Sequence, residues 1–195
     1  FTLVSALATR TGRPRDLRPS FFFSPDAEEL LVSLLSPLAL GGNSGTAVSA
    51  FETSGTFTAG TSSMVFTGTS SQSITGDFTT ANSSSLYDVT INKSSNNVTV
   101  SSDVDITNNL DFTDGYFITT VADIFRLGLT ATASNASDNS FVDGPIYKTL
   151  DNSSNDNFMF PIGASGFYAR AGVSNTDISG DWYAEHVAST ITSGS

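Results

Sequence analysis

Apolar and polar residues alternate through the middle of the chain, and the alternation is most regular between residues 97 and 112. The even positions carry the apolar side chains Val98, Val100, Val104, Ile106, Leu110 and Phe112. The odd positions carry polar side chains, among them Thr99, Asp103, Asp105 and Asp111. Because successive side chains of a β-strand point to opposite faces of a sheet, this pattern predicts that the even set is buried and the odd set exposed.

Pairs of apolar residues two positions apart recur along this region. Polar corners that contain Ser, Asn, Asp or Gly separate one pair from the next. The pairs are Val89/Ile91, Val98/Val100, Val104/Ile106, Leu110/Phe112 and Leu127/Leu129. Short apolar faces with polar corners suit the stacked coils of a β-solenoid, each of roughly 20 to 25 residues. The sequence therefore predicts an all-β protein with a short, parallel β-helix-like solenoid over residues 46–135. A β-sandwich accommodates strands of the same length and is the structural alternative.

The segment before this region carries helix signals. Ser24 suits an N-cap, Pro25 suits the first helical position, and acidic residues follow in the first turn. These signals predict a helix over residues 25–36, which ends before Pro37. Leucines at helical spacing give it one apolar face, and they are Leu30, Leu31, Leu34, Leu35 and Leu38. We expect this helix to cap one open end of the β-core.

Basic and aromatic residues divide the chain into three parts. Residues 1–45 form a basic arm and the capping helix, and the arm carries Arg10, Arg13, Arg15 and Arg18. Residues 46–135 are the β-repeat region. Residues 136–195 are rich in aromatic side chains and predict a small antiparallel β unit that closes the other end of the stack.

Charge, hydropathy and the absence of Cys argue against several partners and chemistries. The chain has 19 acidic and 8 basic residues, and its net charge is −11. An acidic surface repels a phosphate backbone, so we expect no nucleic-acid partner. No uninterrupted apolar stretch reaches the roughly 18 residues that span a bilayer, so we expect no membrane span. The chain has no Cys, which removes disulfides and thiolate chemistry.

His186 is the only histidine, and Asp181 and Glu185 lie close to it in the sequence. A histidine beside a carboxylate can act as a general base when a nucleophile is within reach. No Ser or Cys stands in a nucleophile-elbow context, so a partly exposed strand histidine is the better interpretation.

Asp103 and Asp105 share the outward face of one predicted strand and form a candidate carboxylate pair of the kind that β-helix lyases and hydrolases use. A lyase also needs cations near its sugar acid, and the β-rich part of the chain offers only Lys93, Arg126, Lys148 and Arg170. With Asp111 the same acids form a weak candidate for calcium, but no calcium-loop motif is present. We therefore expect no catalytic, cofactor-binding or metal-binding residues, no cofactor, and no enzymatic activity.

Several segments resemble a known class of surface protein. Residues 68–76, 86–92 and 98–115 resemble repeats of large secreted surface proteins of Bacteroidota-type bacteria, and residues 141–146 and 158–163 resemble the block that commonly follows those repeats. The resemblance covers about residues 55–187. It implies export by the type IX pathway, an extracellular or cell-surface location, and a role as an adhesin or structural protein without catalytic residues.

Three classes of function follow from these observations. The first is an extracellular structural or filament-forming protein that associates with itself through its ends, aided by the basic arm meeting the acidic body of the next copy. The second is an adhesin that binds glycan or another cell surface through exposed aromatic residues, with Tyr116, Tyr147, Tyr168 and Trp182 as candidates. The third is a carbohydrate-active β-helix enzyme. We expect the first and keep the others as alternatives.

Overall fold

The computed structural model describes the backbone of residues 29–31, 38–42, 48–53 and 56, and it describes the backbone and side chains of residues 57–187 except 96, 153–156 and 175–178. The first strands are β1 (Glu29–Leu31), β2 (Leu38–Gly42), β3 (Val48–Thr53), β4 (Thr56–Thr58), β5 (Ser63–Gly68), β6 (Gln72–Gly76), β7 (Leu86–Asn92), β8 (Val98–Val100) and β9 (Val104–Ile118). The others are β10 (Phe125–Leu127), β11 (Thr132–Ser134), β12 (Ser140–Asp143), β13 (Ile146–Leu150), β14 (Phe158–Phe160), β15 (Ile162–Ala164), β16 (Phe167–Tyr168), β17 (Ala171–Val173) and β18 (Gly180–Ala184). In the described part of the chain, the helical residues are confined to a short 3₁₀ turn at Thr80–Asn82.

Strands β1 to β13 each pair in parallel with a strand of a neighbouring coil, and the chain forms a β-solenoid of about four turns. Val65 lies opposite Thr90, and Val89 lies opposite Leu110, so a coil takes 25 residues at one place and 21 at another. This spacing confirms the predicted all-β solenoid. The parallel pairing distinguishes it from a β-sandwich, whose sheets are antiparallel.

The solenoid has three faces. The first contains β1 and β4, and further along the stack the start of β9, β10 and β13. The second contains β2, β5, β7, the middle of β9 and β11. The third contains β3, β6, β8, the end of β9, β12 and β15. Strand β9 therefore passes along all three faces within one coil.

The interior is a stack of apolar side chains from successive coils. All six even-position residues predicted to be buried are at most 1% exposed: Val98, Val100, Val104, Ile106, Leu110 and Phe112. Aromatic rings continue the stack, since Phe117 meets Phe66 at 5.9 Å and Phe125 at 5.0 Å, both edge to face. Edge-to-face geometry is favourable for the ring quadrupoles, so the core gains energy beyond its buried area.

The polar side chains at the odd positions are less exposed than predicted. Thr99 is exposed, but Asp103, Asp105 and Asp111 are only partly exposed. Their carboxylates accept hydrogen bonds from neighbouring coils: Asp103 Oδ1 from the Ile124 N–H at 3.2 Å, and Asp111 Oδ1 from Ser134 Oγ at 2.7 Å. Because the coils stack, hydrogen-bond donors about one coil away in the sequence reach these carboxylates. The alternation within a single strand does not reveal such contacts.

The structure does not support the predicted helix over residues 25–36. Glu29–Leu31 form strand β1, which pairs in parallel with Thr56–Thr58. The remainder of the predicted helix lies outside the described residues, as does the basic arm. A short leucine-rich run is compatible with a buried strand as well as with a helix. Backbone partners in the next coil outweigh the local capping signals at these three residues.

The antiparallel unit predicted for residues 136–195 is present only in its later strands, because β12, β13 and β15 still pair in parallel. Strand β18 lies against β13, β16 against β15, and β17 against β14. Parallel stacking thus gives way to antiparallel pairing on the first and third faces. Strand β18 brings its side chains beside the last parallel strand of the first face, which creates the surface described next.

Candidate functional site

The outer side of the first face carries a row of polar and aromatic side chains, one from each strand. Asp105 of β9, Arg126 of β10, Tyr147 of β13 and Tyr183 of β18 are successive neighbours in the strand register. We call these four residues the outer column. In the two central strands, β10 and β13, the residues on either side of Arg126 and Tyr147 point into the core. Buried packing on the other side of the sheet therefore fixes the column.

Arg126 is held between a carboxylate and an aromatic ring. Its Nη2 lies 3.0 Å from Asp103 Oδ2, and its guanidinium carbon lies 4.7 Å from the centre of the Tyr147 ring. Partial burial alone would lower the pKa of Arg126, but the hydrogen bond and charge of Asp103, with contributions from Tyr147 and Asp105, raise it above its ordinary value. Arg126 therefore stays charged, and its plane can stack on the ring while its edge meets the carboxylate.

Tyr183 extends the column past Tyr147. The two rings lie 5.2 Å apart in an edge-to-face arrangement. The Tyr183 hydroxyl donates a hydrogen bond to Glu185 Oε2 at 2.5 Å, and this bond is the main reason that the pKa of Tyr183 is raised to about 12. Tyr183 remains 44% exposed. The column thus ends in an accessible phenol ring with a carboxylate at its tip.

A second aromatic cluster lies on the third face. The Phe141 ring contacts Tyr116 at 4.5 Å and stacks on Tyr168 at 6.0 Å. Phe141 is fully buried, so the two tyrosines cover it. Burial raises the pKa of Tyr168; Arg170 opposes this and Asp138 adds to it. This cluster is a packed layer in which Tyr116 and Tyr168 are partly exposed, whereas Tyr183 of the outer column is exposed.

The four aromatic residues named from the sequence are therefore divided between different places. Tyr147 lies in the outer column, Tyr116 and Tyr168 cover Phe141, and Trp182 lies opposite Lys148 and packs against the core. Sequence reasoning did not single out Tyr183. The alternation along Asp181-Trp182-Tyr183 shows that Trp182 and Tyr183 face opposite ways, but only the pairing of β18 with β13 tells which of them points outward.

Two of the candidate cations lie inside the solenoid. Lys93 is 1% exposed, and its Nζ donates to the Ser70 carbonyl at 2.6 Å and to Gln72 Oε1 at 2.9 Å. Lys148 is 3% exposed, and its Nζ donates to the carbonyls of Gly128 and Leu129 at 2.6 and 2.7 Å. Each lysine binds a corner of the preceding coil, so neither can serve an external substrate.

Burial lowers the pKa of Lys93, and this gives a prediction for stability against pH. The folded state releases the Lys93 proton at a lower pH than the unfolded state does. The unfolded state therefore binds more protons in the window just below the ordinary lysine pKa, and stability must rise with pH there. We expect the free energy of unfolding in urea, measured from pH 7 to 10.5, to rise in the wild type relative to the Lys93→Met variant. A constant difference across this range would contradict the prediction.

The candidate catalytic acids are engaged in contacts between coils. Asp103 pairs with Arg126, and Asp105 Oδ2 accepts bonds from the backbone N–H and the hydroxyl of Thr80, both at 2.7 Å. Glu185 is bound to the Tyr183 hydroxyl, and the structure gives His186 Nδ1 no hydrogen-bond partner in the described residues. The structure therefore does not place His186 in a base and nucleophile pair within the described part of the chain.

The candidate calcium ligands are not brought together. Asp111 lies on the second face beside β11, whereas Asp103 and Asp105 lie at the first face. Among the described residues, no group of three or more histidines and carboxylates has the arrangement to hold a metal ion. Within the same part of the chain, no helix has the length and apolar character that crossing a membrane requires.

Comparison of the chain with protein-family models, with curated proteins and with solved structures finds no match. Function is therefore inferred from the residues and their geometry.

Proposed function

We propose that this protein is an extracellular structural protein of a cell surface, which associates with copies of itself through the ends of its solenoid and does not act as an enzyme. The observation that carries the proposal is the bracing of each coil against the next by polar side chains. These side chains form hydrogen bonds with one another across the coils and do not converge on a pocket.

The bracing is clearest on the second face. Asn108 Nδ2 donates to Asp88 Oδ1 at 2.7 Å, which joins β9 to β7. On the other side of β9, Asn109 Nδ2 donates to Ser134 Oγ at 3.0 Å, and Ser134 Oγ lies 2.7 Å from Asp111 Oδ1. Hydrogen bonds of this kind contribute about 1 kcal/mol each. Repeated along the stack, they suit a rigid rod whose task is mechanical or architectural.

The C-terminal end of the rod offers a surface for association. Phe167 in β16 is 73% exposed, Met159 in β14 is 48% exposed, and Val187 after β18 is 70% exposed. Exposed apolar side chains of this size are candidates for contact with another protein surface. The two ends of a solenoid differ, so contact between opposite ends of two copies does not close on itself and extends into a filament. The resemblance of the repeats to secreted surface proteins supports the extracellular location.

The test is the size of the full-length chain as a function of concentration. We expect light scattering to show mass increasing with concentration, and negative-stain images to show rods joined end to end. Phe167→Asp should lower the association constant at least about tenfold, because it places a charge in an apolar contact. Thr99→Asp is the matched control, since Thr99 is exposed on the third face. A wild-type chain that stays monomeric at high concentration would contradict the proposal.

An adhesin that binds glycan is the second candidate, and the outer column favours it. The Tyr147 and Tyr183 rings lie side by side on an outward surface, with Glu185 beside Tyr183 to accept hydrogen bonds. Rings of this kind combine an apolar face with a polar tip, a combination that suits the faces and hydroxyls of sugars. Loss of glycan-array binding in Tyr183→Ala, with unchanged association of the chain, would favour this candidate over the first.

A further inference from the structure

Tyr183 is the most accessible tyrosine of this protein. All five tyrosines of the chain lie in the described residues, and Tyr183 is 44% exposed, whereas the other four are only partly exposed. Tyr116 and Tyr168, for example, pack on the ring of Phe141. A reagent that approaches from solvent therefore reaches the Tyr183 ring more readily than any other phenol of the chain.

Tyr183 also has a base at its hydroxyl. The phenol donates a hydrogen bond to Glu185 Oε2 at 2.5 Å, a short distance that is characteristic of a hydroxyl bonded to a carboxylate. A phenol that loses an electron becomes a strong acid, so a carboxylate already bonded to it can accept the proton in the same step. The Tyr116 hydroxyl lies 3.3 Å from the Asp138 carbonyl oxygen, which is a much weaker base. Tyr183 is thus prepared to lose an electron and a proton together.

The neighbouring Tyr147 is protected from the same reaction. It lies directly opposite Tyr183 in the strand register, and the two rings are 5.2 Å apart. The guanidinium carbon of Arg126 lies 4.7 Å from the centre of the Tyr147 ring. A cation over the face of a ring is attracted to its electrons and opposes the removal of one. A radical that forms at Tyr183 is therefore not passed on to Tyr147.

We infer that Tyr183 is a site of one-electron oxidation, with Glu185 as its proton acceptor, and that two oxidised chains join through a carbon–carbon bond between their Tyr183 rings. The co-reactant is a one-electron oxidant of the haem-peroxidase class, supplied with hydrogen peroxide. The inference goes beyond the proposed function, because two radicals couple when they collide, whether or not the unoxidised chains associate. In an extracellular structural protein, the product is a covalent link between two rods.

The reaction is balanced in atoms and electrons. In each chain Tyr183 gives one electron to the oxidant and its hydroxyl proton to Glu185, which releases the proton to water. The two phenoxyl radicals form a bond between ring carbons ortho to the oxygens. The hydrogen on each of these carbons then moves to the oxygen, which restores both phenols. The dimer has lost two hydrogen atoms, and hydrogen peroxide takes up the two electrons and two protons to form two molecules of water.

The first experiment treats the full-length chain with a haem peroxidase and hydrogen peroxide. Denaturing electrophoresis, dityrosine fluorescence and mass spectrometry of peptides follow the product. We expect a covalent dimer whose cross-linked peptide contains Tyr183 of both chains and lacks two hydrogen atoms. The product should not extend beyond the dimer, because each chain offers one exposed tyrosine. Tyr183→Phe should abolish the dimer, whereas Tyr147→Phe should leave its yield unchanged.

The second experiment tests Glu185 as the proton acceptor. Glu185→Gln keeps the shape of the side chain but removes the base, so the initial rate of dimer formation should fall at least about tenfold. Asp181→Asn is the matched control, because it removes the same charge from a carboxylate that is bonded to Thr149 Oγ1 at 2.6 Å. The control should react at nearly the wild-type rate. Thermal unfolding of each variant should match the wild type, which shows that the fold is retained.

The possible results separate this site from the proposed function. Cross-links at other tyrosines, or oxidation of Trp182 in place of Tyr183, overturn the site. A bond between Tyr147 and Tyr183 of one chain shows that Arg126 gives no protection and overturns the link between chains. An unchanged rate in Glu185→Gln overturns its role as the acceptor. A Tyr183 dimer that forms from a chain that is monomeric before treatment supports the site, although the proposed self-association has then failed.

Discussion

Replacing Ile106 by Asp is expected to prevent folding. Ile106 is fully buried and lies between Leu86 and Leu127 in the strand register of the two neighbouring coils. A carboxylate at this position would be enclosed by apolar side chains from both sides, with no cation to pair with. The expected cost is more than about 4 kcal/mol, which is close to the whole stability of a small domain. Circular dichroism and thermal unfolding of the purified variant are the measurements.

Thr99→Asp is the matched control for this variant, because Thr99 is the exposed odd-position residue of β8. It introduces the same charge at an outward position, where we expect a change within about 0.5 kcal/mol. If Ile106→Asp unfolds at the wild-type temperature, then the assignment of the inward face is wrong.

Replacing Gly144 by Ala is expected to cost about 3 kcal/mol or more, because a positive backbone dihedral and a steric clash act together. Gly144 has a φ of +131°, and an added Cβ would lie 2.4 Å from the Thr119 carbonyl oxygen. Thr119 cannot withdraw easily, since its hydroxyl donates to the Pro145 carbonyl at 2.7 Å and its N–H donates to the Asp143 carbonyl at 3.2 Å. Urea unfolding measures the loss.

Gly166→Ala separates the two contributions. Gly166 has a φ of +82°, but an added Cβ there would meet nothing within 4 Å. Only the cost of the backbone conformation remains, about 1 kcal/mol. Equal losses in the two variants would mean that the corner at Thr119 relaxes to admit the methyl group.

The alternation of apolar and polar residues was sufficient to predict part of the core, although Leu129 of the apolar pairs is 47% exposed. The six even-position residues between 97 and 112 are buried because a strand has a side-chain period of two, and this period is a local property. The short apolar pairs with polar corners predicted the stacked coils for the same reason. The aromatic C-terminal segment is only partly antiparallel, because β12, β13 and β15 continue the parallel stack before β16, β17 and β18 pair antiparallel.

Local signals were insufficient wherever a neighbouring coil supplies the partner. The capping signals at Ser24 and Pro25 predicted a helix that includes residues 29–31, but these residues pair with β4 instead. Lys93 follows β7 and is buried, which its charge alone does not predict, because the corner at residues 68–72 supplies oxygen acceptors for its ammonium group. The partner in each case lies roughly one coil away along the sequence.

In the candidate site, too, local signals identified residue types, and contacts between coils decided their arrangement. The sequence placed Asp103 and Asp105 on an outward strand face and named Arg126 as a cation and Tyr147 as an exposed aromatic residue. It could not show that three strands place Asp105, Arg126 and Tyr147 side by side. Tyr183 joins them only because β18 pairs antiparallel with β13 in one register. A shift of one residue would turn Trp182 outward and Tyr183 inward. The sequence alone thus determined the period of the strands and the six core residues between 97 and 112. The register between coils, set by the packing of the core, decided which outward side chains meet.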